Sequence, residues 1–229
     1  MSNFKQKNQK FIWKNVHTTR IITATIGVLL AIAGFEHGFF ETLQGNKTTT
    51  GLIIQAIGEA NRMWQWGTEE AFTLIPNFLV TGISAMCISI FIVFWSISFV
   101  HKKHGRSIFL LLFIILFLVG GGIAQILFFV TAWAYATRIN KPLNWWKKIL
   151  PEGIRNILAK IWIYALIAAC ISFLVALEIA IFGYFPGQTN PDTIFSICWT
   201  FLFSSYFLIH LTFISGFAHD IKRQAGEVA

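Results

Sequence analysis

Apolar residues in this chain gather into long blocks separated by short polar connections. About twenty apolar residues in a row match the roughly 30 Å of bilayer hydrocarbon. Five blocks can be read, at 21–40, 71–100, 107–136, 161–184 and 192–218. No soluble core explains so many in 229 residues, of which 12% are charged against about a quarter in soluble domains. The predicted fold is an all-α integral membrane protein. Residues 21–218 would form one transmembrane helical domain, with a basic cytoplasmic tail at 1–20 and a short cytoplasmic tail at 219–229. Ala31-Ile32-Ala33 raises a signal-peptide cleavage site, but the apolar pattern runs on to Phe40 and Leu43, so an uncleaved first span is expected.

The formal charge of +8 does not predict nucleic-acid binding, because Lys and Arg lie between the apolar blocks and form no stripe with interleaved aromatics. They read as topology signals and as contacts to anionic lipid at the inner face. Cys87, Cys170 and Cys198 each sit alone in an apolar block, with the spacing of packing residues and of no disulfide framework.

The cations also count crossings. If all five blocks cross fully, Lys and Arg divide almost evenly between the two sides, against the positive-inside rule. If 107–136 enters and leaves on one side, only Lys47 and Arg62 of the 18 remain outside. Gly120-Gly121-Gly122 in the middle of that block permits such a reversal, since successive glycines break a helix. Each arm would be about 20 Å long, too short to span. The predicted architecture is four full spans plus a re-entrant hairpin with both termini cytoplasmic, the alternative being five spans. Residues 142–160, with Trp145, Trp146 and several cations, read as an amphipathic segment on the inner surface, interrupted at Pro151.

Small residues mark packing faces. Gly27, Ala31, Gly34 and Gly38 fall in one stripe of the first span, about 40° wide. Ala165, Ala169, Ser172 and Ala176 form a similar stripe in the fourth, and the two stripes are expected to pack on each other. Ser196, Thr200 and Ser204, a turn apart in the last span, predict interhelical hydrogen bonds or the wall of a wet cavity.

Ionisable groups inside spans are costly and therefore functional candidates. Glu36, His37 and Glu178 fall in the outer third of their spans, Asn77 enters at similar depth, and Glu41 continues the face of His37 at i+4. Together they predict an outward-facing site able to bind a cation, exchange protons or cross-link helices. No metal-ligand spacing such as Glu-x-x-His is present, so no metal is assigned, and the cofactor is left unknown. His210 lies too far from His37 in depth to share a haem with it.

Gly34-Phe35-Glu36-His37-Gly38, Gln44-Gly45-Asn46, Pro76-Asn77-Phe78-Leu79-Val80-Thr81-Gly82 and Gly120-Gly121-Gly122 resemble a group of small prokaryotic multi-span membrane proteins. The resemblance covers roughly residues 1–140. It implies a bacterial or archaeal cytoplasmic (plasma) membrane and adds no mechanism. Three functions remain open on the residues: a small transporter or ion- and proton-handling protein; an accessory protein that binds partner helices, as a homo- or hetero-oligomer; and a membrane-embedded enzyme. The last lacks a nucleophile–base pair.

Overall fold

The computed structural model describes residues 17–226. Among the described residues seven α-helices carry the fold: α1 (Thr18–Leu43), α2 (Phe78–Ser98), α3 (Gly105–Leu118), α4 (Gln125–Ala136), α5 (Asn144–Ile149), α6 (Glu152–Phe182) and α7 (Pro191–Gln224). The connection after α1 adds an antiparallel ribbon of β1 (Ile53–Gln55) and β2 (Glu70–Phe72). Four helices, α1, α2, α6 and α7, are long and apolar enough to cross a membrane. Ile90, Phe91, Ile163, Ile171 and Phe207 stand exposed on such helices, as hydrocarbon-facing side chains do.

Local chemistry sets the helix boundaries. The Asn77 side chain accepts the Val80 N–H at 3.1 Å and starts α2. Asn190 caps α7 in the same way, accepting from Asp192 and Thr193 ahead of Pro191 in the first turn. Pro151 starts α6, and Gly183, at φ +61°, stops it. The 142–160 segment therefore divides at Pro151, with α5 before it and the first turns of α6 after it.

The third apolar block breaks at its glycines. Its arms, α3 and α4, pack on each other. Arg106, at the start of α3, donates to the carbonyls of Thr137 and Ile139, just past α4, at 3.4 and 3.0 Å. The block thus leaves and rejoins one end of the bundle as a helical hairpin. The turn backbone is held by the ribbon. Gly120 N–H donates to Phe72 O at 3.0 Å, Ile123 N–H to Glu70 O at 3.1 Å, and Leu74 N–H to Leu118 O at 2.9 Å. The Thr81 hydroxyl donates to Val119 O at 2.8 Å. These bonds satisfy carbonyls and amides that lipid could not.

The end of the bundle away from the hairpin turn is closed by Asp220, near the end of α7 and only 2% exposed. Its carboxylate accepts from Thr18 N–H at 2.8 Å, Thr19 N–H at 3.0 Å and the Thr19 hydroxyl at 2.6 Å. It therefore caps α1 from 200 residues away in sequence, a role invisible when 219–229 reads as a tail.

Two packing expectations are corrected. The glycine stripe of α1 faces α2, with Gly27 against Ser96, Gly34 against Ser89 and Leu116, and Gly38 against the backbone of Gly82. The stripe on α6 faces α7, where the Cys198 thiol reaches Ala176 O at 3.3 Å, and α1 touches α6 only slightly. Helices consecutive in these two pairs lie together, α6 and α7 across the short 183–190 connection and α1 and α2 across the longer 44–77 loop that carries the ribbon. Ser196 and Thr200 are exposed and donate to carbonyls one turn earlier in α7, so these two hydroxyls bond within their own helix.

Candidate functional site

The last two turns of α1 meet the hairpin turn and the ribbon at one end of the bundle. His37 and Glu41, one turn apart, face the glycines. His37 is 7% exposed, and its Nε2 lies 3.1 Å from Glu69 Oε2. Gly122 packs against the same imidazole, at φ +88°, and a Cβ there would sit 2.7 Å from Nε2. Gly120, at φ +104°, presses in the same way on the carboxylate of Glu41. Only glycine combines these dihedrals with so close an approach.

Glu41 is fully buried, and neither of its carboxylate oxygens has a hydrogen-bond partner. His37 Nδ1 and one oxygen of Glu36 are buried without partners too. Glu36 points around the helix from His37, into a narrow cleft lined also by Glu69, Phe40 and Leu177. Glu178 on α6 is exposed, but its charge reaches Glu36, as do those of His37 and Glu69. Of the expected grouping of Glu36, His37 and Glu178, His37 is thus buried, Glu36 half-buried and Glu178 exposed at the rim. Asn77 serves elsewhere: besides capping α2 it donates to Asn46 Oδ1 at 2.7 Å.

Compared with protein-family models, curated proteins and solved structures, the chain finds no match.

One member of the site, Glu69, was missed from sequence, as was a further buried polar side chain, Gln125. Glu69 enters from the loop before β2 in a left-handed conformation, φ +48°, which a non-glycine residue adopts at some cost. Burial opposes its ionisation, yet the hydrogen bond and charge of His37 hold its pKa below the ordinary carboxylate value. Alternation was the available signal, because Ala71 and Thr73 are buried while Glu70 and Leu74 are exposed, which puts Glu69 on the inward face. Gln125 opens α4, 6% exposed, with both polar ends of its amide unpartnered. A lone amide inside an apolar block was its signal.

Gln44 positions the ribbon over the site, donating to Gln55 O and Ala56 O at 2.8 Å each. The Trp64 indole donates to Ala180 O at 2.8 Å and ties the same loop to α6. Among the described residues no three His, Cys, Asp or Glu side chains are grouped to hold a metal ion. His210 is engaged locally, with Nδ1 2.9 Å from Tyr206 O.

Proposed function

We propose that this protein handles protons or small cations in a cytoplasmic membrane, using Glu36, His37, Glu41 and Glu69 beneath the tip of a re-entrant hairpin. The observation that carries this reading is Glu41, a fully buried carboxyl with no partner for either oxygen. An isolated carboxylate in a dry site is so unfavourable that it takes up a proton or a cation. Broken helices whose turns face such groups recur in ion-coupled membrane proteins.

The return of the hairpin to its starting end supports the re-entrant topology. With it, the Lys and Arg of the 101–106 and 137–160 connections share one end of the bundle with the start of α1 and the end of α7. That end would face the cytoplasm and its anionic lipids, and the ribbon would face outward. The accessory-protein reading draws less support, because Gly34 and Gly38 are already used against α2.

The test is proton and monovalent-cation flux into liposomes containing the purified full-length protein, followed with an internal pH dye. Wild type should respond to an imposed gradient, and Glu41→Gln should lose the response while keeping its melting temperature. A wild-type signal equal to that of empty liposomes, or a Glu41→Gln signal equal to wild type, would overturn the reading.

A further inference from the structure

A second cavity lies on the other side of Glu36. It is a groove of about 430 Å³ between α1 and α2, within the size range of small-molecule sites. Its walls include Ile32, Phe35, Phe39, Ile90 and Val93, and the first four are exposed. Two polar side chains also line it, Glu36 and Ser89. Glu36 is half-buried, with one oxygen enclosed and without a hydrogen-bond partner, and the Ser89 hydroxyl is enclosed and unpartnered as well. An apolar groove with a carboxyl and a hydroxyl on its lining complements a hydrocarbon that carries one ammonium group.

We propose that this groove binds a lipophilic amine arriving from the membrane, its ammonium on Glu36 and its hydrocarbon between α1 and α2. The inference rests on the proposed membrane site, since Glu36 lines both this groove and the His37–Glu69 cleft. A free amine fits better than the ammonium of a phospholipid headgroup for two reasons. A headgroup phosphate would bring negative charge toward Glu36, which already lies within electrostatic reach of Glu69 and Glu178. Glu36 also lies about 10 Å along the axis from Leu43 at the end of α1, below the level where headgroups sit.

The experiment uses the full chain in phosphatidylcholine nanodiscs and a photoactivatable dodecylamine, with the matching dodecanol as control. The amine should label groove residues such as Ile90 and Val93. Labelling should fall about tenfold or more in Glu36→Gln, which removes the charge. It should fall equally in Ile90→Trp, which fills the groove and spares the carboxyl. Both variants are first checked for wild-type melting temperature. If either melts early, competition of wild-type labelling by unlabelled dodecylamine but not by dodecanol takes its place.

Equal labelling by dodecanol would overturn the proposal, because the groove would then be an unselective apolar surface. Loss of labelling in phosphatidylethanolamine nanodiscs would overturn it in favour of a lipid-headgroup site. Proton flux measured on the same purified protein reconstituted in liposomes separates the two readings. Amine labelling without flux refutes proton handling alone, and flux without labelling refutes the amine site alone.

Discussion

The backbone of Gly120 lies directly against the carboxylate of Glu41, at a φ of +104°. The relationship joins the hairpin turn to the end of α1 and leaves no room for a side chain at 120. Gly122 and His37 repeat it one step along, at φ +88°.

Gly120→Ala should therefore lower stability by about 1–3 kcal/mol, through dihedral strain and displacement of the Glu41 carboxyl. Gly122→Ala should act similarly and also disturb the 3.1 Å contact between His37 and Glu69. Thermal unfolding in detergent measures both. Wild-type melting in Gly120→Ala would mean that the turn does not bear on Glu41.

Glu69 makes the ribbon end sensitive to acid. Its folded pKa lies below the ordinary 4.5, so the unfolded chain takes up its proton first as pH falls. The contribution of Glu69 is complete above 4.5 and disappears as pH drops through the folded value. The difference in melting temperature between wild type and Glu69→Gln should thus hold above pH 4.5 and shrink as pH falls below it. A difference that stays constant as pH falls would show that His37 and Glu69 are not coupled.

At the other end, Asp220→Ala should destabilise by about 1–3 kcal/mol, since it removes the acceptor for two backbone amides and a hydroxyl at the start of α1. Asp220→Asn keeps one acceptor and should be milder. Chemical denaturation of the two variants compares them, and an Ala variant as stable as wild type would show that α1 is capped by other means.

Topology can be read by chemical labelling in a background lacking Cys87, Cys170 and Cys198. Single cysteines replacing His104 and Trp146 should react from the same side of the membrane, because Arg106 and Ile139 meet at the base of the hairpin. Reaction from opposite sides would mean that 107–136 crosses fully.

Much of this arrangement was legible in the chain, for reasons that are local. Apolar blocks announced the four long helices, because a helix that meets hydrocarbon must be apolar over its whole length. Gly120-Gly121-Gly122 announced the break between α3 and α4, because poor helix propensity acts at the residues that carry it. Glu36, His37 and Glu41 stood out as ionisable groups in an apolar segment, and the structure keeps His37 and Glu41 buried. Glu69 escaped notice because a carboxylate in a polar loop is ordinary until the fold of the ribbon turns it onto His37.

Pattern by itself determined which segments are helical, where the third block breaks and which side chains are costly to bury. It could not determine partners. The stripe of Gly27, Gly34 and Gly38 specifies only a face that another helix can approach closely, and any helix with small residues satisfies it. That α2 fills this role through Gly82, Ser89 and Ser96 was decided in three dimensions, as was the capping of Thr18 and Thr19 by Asp220. Helix formation depends on bonds within one segment, whereas partner choice depends on complementary surfaces that only the assembled bundle brings together.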